Sequence, residues 1–467
     1  MSRWDCEQFR CAIGGRWHIE PIGDEIAFAG VSIDTRSIEK DQVFFAFVGK
    51  QVDGHAYLEQ AKLAGASVCV VSDVDRVPEG FGAAVIVVDD MLGAITDLAL
   101  AWREGMRALV IGITGSNGKT TTCRLMHALC AQSGLSVVSQ KSYNNALGVP
   151  ITILNTPMDA DYLVAEIGTS SVGEISARSK LLELDVAMIT SIGHAHLEEL
   201  GDLAGVAKEK MAIVDGLKPD GFLVVPVGIA ELENELANAE HDGVEIVRVD
   251  PAVAMDVETV GGRTRFEFDG QAYELAMIGA HNVSNAMLAI SAAKKIGIDT
   301  ESICDGLTMA EPVAMRFERV DVELADGGSM VFYNDAYNAN LDSMRAALAA
   351  FDSLETAGTK VAVIGQMLEL GEQSEVLHRM LIDELGSYGG IDGFVLVGEA
   401  YGRFAKGISD ENMIVIPAKD AGAIEEVVEY LAVGATVLLK GSRGVGLERV
   451  IGLIQNEAKN SGQVEAP

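Results

Sequence analysis

The chain has 467 residues, of which 49% are apolar, too many for one core and enough for about three domains. Its 69 acidic residues against 35 basic ones leave a formal net charge of −34, which argues against nucleic acid or anionic lipid as a partner because both require a basic surface. No apolar run reaches about 18 residues, and the start from Met1 to Glu7 lacks a signal-peptide core, so the expectation is a cytoplasmic protein without membrane insertion.

Residues 1 to 105 read as a small mixed α/β unit. Val43–Val48, Val68–Val71 and Ala84–Val88 are strand-like, and Ala56–Ala64 suits a short helix ending at Gly65. Cys6, Cys11, Cys69, Cys123, Cys130 and Cys304 form no CxxC pair and are read as small core hydrophobes.

A second unit, 106–312, opens on Leu109–Ile113, an apolar strand. Gly115-Ser116-Asn117-Gly118-Lys119-Thr120-Thr121 follows it, and then a helix over Thr121–Ser133. Strand, glycine-rich loop and helix make a phosphate cradle: backbone N–H groups turn onto phosphate oxygens where the helix N-terminus adds partial positive charge. Lys119 would reach the β- and γ-phosphates and the Thr120 hydroxyl would ligate magnesium. The loop departs from the common spacing, since Ile113 stands six residues before Lys119. Tyr162–Ile167 and Val186–Thr190 are continuous apolar runs of the kind buried parallel strands need. Glu166 near the carboxyl end of the first suits a magnesium ligand, although a turn acid reads the same way. His194-Ala195-His196 is a weak metal hint, and Lys210 by spacing alone is a solvated helix lysine. Arg263–Phe268 alternates between Gly261-Gly262 and Asp269-Gly270, which is hairpin chemistry. A helix over Asn282–Lys295 ends the unit; His281 and Asn282 at its start would read a base or cap the helix.

The third unit, 313–467, alternates again. Met330–Tyr333, Val361–Ile364, Phe394–Val397 and Thr436–Leu439 are strands, and Met344, Ala347, Leu348 and Phe351 mark one helix face between them. The pattern predicts a Rossmann-like, doubly wound sheet. Asn334–Asn340 follows its first strand and suits either a ligand loop or a plain turn.

Taken together, these segments resemble the Mur ligase family over nearly the whole chain. The matching blocks in the first unit are Ser32–Arg36, Phe44–Gly49 and Asp53–His55. Those in the second are Thr114–Thr122, Asn144-Asn145 with Gly148–Pro150, Glu166–Gly168 with Gly173–Ile175, and Ala195–Glu198. Those in the third are Tyr337–Asn340 with Asp342–Met344, Met367–Glu372 and Lys440–Arg443. The last three blocks are those of the branch that joins D-alanyl-D-alanine to UDP-N-acetylmuramoyl-tripeptide.

The resemblance implies an α/β fold of three domains: a small mixed N-terminal domain for the uridine nucleotide, a central phosphate-loop domain with a parallel sheet, and a Rossmann-like C-terminal domain. It implies ATP and two magnesium ions, with Gly115, Asn117, Gly118, Lys119, Thr120, Thr121, His281, Asn282, Arg316 and Asp335 on the nucleotide. It places Thr120, Glu166, His196 and a carbamylated Lys210 at the metals, with Lys119, His196, Lys210 and Arg316 carrying the chemistry. Ser32, Asp34, Thr35, Arg36, Asp53, His55, Asn144, Asn145, Thr169, Tyr337, Asn338 and Asn340 would hold the two substrates, UDP-N-acetylmuramoyl-tripeptide and D-alanyl-D-alanine. The enzyme is expected to be a monomer. The sequence departs from the family's pattern at Ala336, Leu341 and Gln366, where serine, proline and aspartate are usual. Two other readings compete. One is a folylpolyglutamate-type ligase, which would not offer the uridine segment around Asp34-Thr35-Arg36; the other is a nucleotide-gated binding protein, which would not need Glu166, His196 and Lys210 together.

Overall fold

The computed structural model describes residues 2–140, 142–238, 243–260, 262–324, 327–405, 412–418 and 421–461. The first unit has a five-stranded sheet in the order Arg16–Ile19, Val85–Val87, Val68–Val71, Val43–Phe45, Val31–Ser32, antiparallel only at the first pair. The strand at Val43 stops at Phe45 instead of running to Val48. The Phe47 amide turns back onto the Phe45 carbonyl and Val48 bridges to Asp53. The expected helix over 56–64 divides into a tight turn, Gly54–Tyr57, and a helix, Leu58–Leu63.

The central sheet is wholly parallel, ordered Glu245–Val249, Leu217–Pro226, Leu184–Ile189, Leu109–Thr114, Tyr162–Glu166, Ser136–Val138. Glu166 pairs in register with Ile113, and Ile189 with Thr114, so three adjacent strands present their carboxyl ends along one edge. Both helix starts come earlier than the sequence suggested: the helix after the phosphate loop is Lys119–Cys130, and the later one is Ala280–Lys295. Arg263–Phe268 pairs with Gln271–Leu275 and with Met255–Val260 as antiparallel ribbons, Phe266 and Phe268 facing the core; Gly261 lies outside the described residues.

The third sheet runs Glu318–Glu323, Ser329–Asp335, Thr436–Lys440, Lys360–Gly365, Gly393–Val397, Met413–Ile416, parallel except at its first strand. Asp335 and Lys440 pair in register at its carboxyl end.

The cysteine expectation holds only in part: Cys69, Cys123 and Cys130 are buried, whereas Cys6 and Cys304 are half-buried and Cys11 is exposed. Cys11 sits on the short first helix, Cys6–Ala12, where only Phe9 is buried. Among the described residues no helix is long and apolar enough to cross a membrane.

Candidate active site

The phosphate loop is held by its own glycines and by the segment facing it. Gly115 (φ 149°) and Gly118 (φ 82°) adopt backbone angles that side chains disfavour. A Cβ on Gly115 would overlap the Thr190 hydroxyl, and one on Gly118 would overlap the Asn285 amide. Ser191 Oγ accepts from the Asn117 amide at 2.9 Å, and the Ser116 and Gly193 backbones are tied through Ser116 Oγ. The helix Lys119–Cys130 then begins on Gly118 with no side chain capping it. Its first N–H groups therefore stay open at the loop mouth, which is the arrangement an anion needs. Lys119 Nζ donates to the carbonyls of Gly115 (2.7 Å) and Ser116 (3.3 Å), fixing the ammonium at that mouth. Burial pushes Lys119 below the ordinary lysine range, with Glu166 opposing the shift and Arg316 adding to it.

Glu166 is 2% exposed, and both oxygens accept from neutral donors: Oε2 from Thr120 Oγ1 at 2.8 Å and Oε1 from Asn144 Nδ2 at 2.7 Å. Among the described residues this buried carboxylate hydrogen-bonds to a hydroxyl and an amide, Lys119 and Lys210 act on it through charge without bonding to it, and the donor set is hard oxygen. That fits magnesium, with Thr120 and Glu166 as ligands.

Lys210 is 1% exposed, which overturns the solvated-lysine reading from spacing. Its neighbour Glu209 is committed elsewhere, accepting from the amides of Gly173 (2.7 Å) and Ile175 (2.9 Å) at the start of the helix Glu174–Leu182. Among the described residues Lys210 has no carboxylate bonded to it; burial, with Lys119 nearby, drives it well below the ordinary lysine range, Glu209 and Glu166 opposing. His196 lies in the left-handed region (φ 56°) and pairs through Nδ1 with Glu369 of the third unit at 2.8 Å. A carboxylate on one ring nitrogen is how metal-binding histidines are oriented for the other. Among the described residues no three His, Cys, Asp or Glu side chains form a ready-made metal cluster.

The third unit reaches over this edge. The amides of Asn117 and Asn340 bond reciprocally (3.2 and 2.9 Å), Tyr337 Oη donates to Ser142 Oγ (2.6 Å), and His194 Nδ1 meets Asp342 (2.9 Å). Asn340 also caps the helix Leu341–Asp352 in a reciprocal box with Ser343. Leu341 takes the first helical position, which proline also tolerates, so this departure keeps the turn. Buried Gln366 accepts from the Ala400 amide at 3.0 Å, and Ala336 is fully packed. Arg316 stacks on the Tyr337 ring, 4.2 Å from its centroid. Lys440 Nζ ties the loop down through Asp335 (3.1 Å) and the Asn338 carbonyl (2.6 Å), a role unread from sequence although Lys440 stands in a matching block.

Between the two units lies a cavity of about 340 Å³. Its walls include Asn117, Gly118, Thr120 and Thr121 from the loop, His281 and Asn282 from the later helix, and Arg316 and Asp335 from the third unit. Burial lowers the His281 pKa, so its ring there is neutral at pH 7.

Other expected residues have structural partners. His55 accepts from the Ser72 amide (3.2 Å) through Nε2 and so donates from Nδ1 to Asp53 (2.7 Å), which also pairs with Arg76. Arg36 pairs with Asp34 (2.6 Å), Ser32 Oγ donates to the Asp34 carbonyl, and Thr35 Oγ1 donates to Gln60. Asn145 Oδ1 accepts from the amides of Leu147 (3.1 Å) and Gly148 (2.8 Å) just before the helix Gly148–Leu154, and Thr169 donates to the Ser171 carbonyl.

Three family profiles cover the chain: "Mur ligase family, catalytic domain" at 27–103, "Mur ligase middle domain" at 113–293 and "Mur ligase, glutamate ligase domain" at 315–443. The UDP-N-acetylmuramoyl-tripeptide--D-alanyl-D-alanine ligase of Bacillus subtilis (strain 168) is 35% identical over 442 residues, 92% of this chain and 94% of its own length. The enzyme of that name from Escherichia coli K12 is 30% identical, covering 93% and 95%. Among solved structures, MurF from Acinetobacter baumannii superposes with a TM-score of 0.82 at 28% identity, over 98% and 99% of the two chains. MurF from Thermotoga maritima, solved with ADP, has a TM-score of 0.74 at 24% identity over 93% and 99%, and shares the fold. Phosphate loop, three-unit order and end-to-end sequence identity agree: the chain belongs to the Mur ligase family.

Proposed function

We propose that the chain is an ATP-dependent amide ligase that joins D-alanyl-D-alanine to UDP-N-acetylmuramoyl-tripeptide in peptidoglycan precursor synthesis. The observation that carries this is the 35% identity to the Bacillus subtilis ligase, spread over 92% of the chain, third unit included. We assign the units as 1–105 for the uridine nucleotide, 106–312 for ATP and 313–467 for the acceptor, and take the enzyme to be a cytoplasmic monomer.

A carboxylate does not react with an amine because its oxygen is a poor leaving group. In the proposed reaction the tripeptide carboxylate attacks the γ-phosphorus, ADP leaves, and an acyl phosphate forms. The dipeptide amine then attacks the acyl carbon, and the tetrahedral intermediate expels phosphate. The chain contributes position and charge. Lys119 and the open amides after Gly118 hold the transferring phosphoryl group, and Arg316 adds positive charge from the third unit. Thr120 would offer an oxygen ligand to one magnesium; Glu166, the Nε2 nitrogen of His196 and a carbamate on Lys210 would serve the second. Magnesium, when bound, supplies neutralisation of the triphosphate. The burial of Lys210, which disfavours its ammonium form, supports the carbamate, because a free amine adds CO₂ and an ammonium does not. In the first unit Ser32, Asp34, Thr35, Arg36, Asp53 and His55 shape the uridine site. Asn144, Asn145 and Thr169 guide the tripeptide, and Tyr337, Asn338 and Asn340 guide the acceptor.

The test is ADP and phosphate release with UDP-N-acetylmuramoyl-tripeptide, with and without D-alanyl-D-alanine. Release should require both. Turnover with a folate and glutamate, or ATP binding without turnover on the muropeptide, would overturn the assignment.

A further inference from the structure

A second cavity, of about 860 Å³, is lined on one side by Thr120, Arg124, His127, Ala128 and Ala131 along the phosphate-loop helix and the residue after it. Thr120 lines both cavities, so this one opens onto the reaction centre. Arg124 and His127 come from the same helix, Arg316 and Tyr337 from the base of the third unit, and Arg443 from the loop after Thr436–Lys440. In a chain with a net charge of −34, three arginines face one space, and Glu311, exposed, is the one carboxylate on the described wall. Arg443 is shared with Glu448 at 3.3 Å and Arg316 lies on the Tyr337 ring. Arg124 is half-buried and forms no ion pair or hydrogen bond among the described residues. His127 does not compensate as a second cation: its Nδ1 meets Ser136 Oγ at 2.9 Å, and burial and Arg124 together lower its pKa. A half-buried guanidinium without an acceptor is a site for an anion, and the fork of a guanidinium matches a carboxylate.

The spacing selects which carboxylate. Thr120 and Arg124 are four residues apart and share one helix face, about 6 Å along the axis. A dipeptide with its amine at the Thr120 end carries its carboxylate roughly 7 Å away, two residues at about 3.5 Å each. A single amino acid stops short of Arg124.

Resting on the function proposed above, we infer that this cavity seats the acceptor dipeptide and that Arg124, with Arg443 opposite, binds its terminal carboxylate. Arg124 thereby sets the preference for a dipeptide carrying a free carboxylate.

The test is steady-state kinetics with D-alanyl-D-alanine and with its C-terminal amide, on the wild-type chain and on Arg124→Gln, Arg124→Lys and Arg443→Gln. Loss of a charge-assisted pair should raise the KM for the dipeptide about 10- to 100-fold in Arg124→Gln. The KM values for ATP and the nucleotide should stay within about twofold. The wild-type preference for acid over amide should vanish in Arg124→Gln and partly return in Arg124→Lys, a readout that a folding defect does not move. An active wild type whose dipeptide KM is unchanged by Arg124→Gln overturns this inference alone, and so does a matching rise in the nucleotide KM, which would give the cavity to the muropeptide. A wild type inert toward the dipeptide overturns the functional reading first.

Discussion

The first and third units are attached to the central one by different physics. The first shares its core: Phe9, Phe28 and Trp102 belong to the same buried cluster as Leu154, Leu163 and Ile189 of the central unit. Trp102 rests on Phe28 (centroids 4.6 Å apart) and donates across the junction to the Thr156 carbonyl (2.9 Å). Arg103 next to it is buried and donates to the carbonyls of Leu182 (2.7 Å) and Glu183 (3.0 Å). The third unit also packs Leu197, Leu200 and Val206 into its core, yet beside the phosphate loop it meets the central unit through side-chain polar pairs: Asn117 with Asn340, Ser142 with Tyr337, His194 with Asp342, His196 with Glu369. Apolar burial is lost in bulk on separation, whereas polar pairs exchange with water at little net cost. The first junction is thus a fixed mount, and the second is a seam that we expect to open and close over the nucleotide cavity.

Variants in the mount should cost stability, and variants at the seam should cost activity. Trp102→Ala should be the largest effect: about 3–5 kcal/mol of unfolding free energy, from the cavity and the orphaned Thr156 carbonyl. Urea titration followed by circular dichroism checks it. A first unit that melts separately, with the rest untouched, would break the shared-core account.

Lys210→Arg should lower kcat by roughly 10²–10³-fold, the order of losing one preorganised electrostatic group. Lys210→Ala should match it and recover in part with short-chain carboxylic acids. An arginine variant with full activity would remove the carbamate and leave the ligase assignment standing.

Arg316→Ala should reduce kcat about 10²-fold while shifting the melting temperature little, because its guanidinium stacks on Tyr337 with no ion pair among the described residues. A melting shift as large as that of Trp102→Ala would erase the distinction between mount and seam.

The smallest effect is at Glu369. Its bond to His196 holds the carboxyl below the usual glutamate range. A depressed carboxylate stabilises above its ordinary pKa of about 4.3, and that contribution is lost as pH falls through the lowered value. The seam should therefore be indifferent to this group from pH 7 to about 5 and loosen below. Because the Glu369 side chain is 63% exposed, the effect should stay under about 1 kcal/mol. Solution scattering with an ATP analogue and muropeptide should show Glu369→Gln slightly less compact at pH 7. Identical profiles would exclude the pair as a latch.

Local pattern sufficed wherever one face or one loop carries the signal. Arg263–Phe268 was legible because its side chains alternate, and the phosphate loop because glycines precede Lys119 between strand and helix. The family blocks extended this to ATP and the muropeptide. The strand Leu217–Pro226 was not legible, since Pro219, Asp220 and Gly221 inside it carry turn chemistry; its register with Leu184–Ile189 breaks across them and resumes at Phe222. Lys210 is the sharper case. Nothing within its helix distinguishes it from Lys208; burial beside Lys119, with Glu209 drawn off to Gly173 and Ile175, pushes its pKa well down. The sequence by itself determined the elements, their order and the chemistry of the loop, because these depend on neighbours along the chain. Tertiary structure alone decided which carboxylate and which lysine are buried, and which unit shares the central core and which meets it through polar pairs at the loop, because those properties depend on groups far apart in sequence competing for the same atoms.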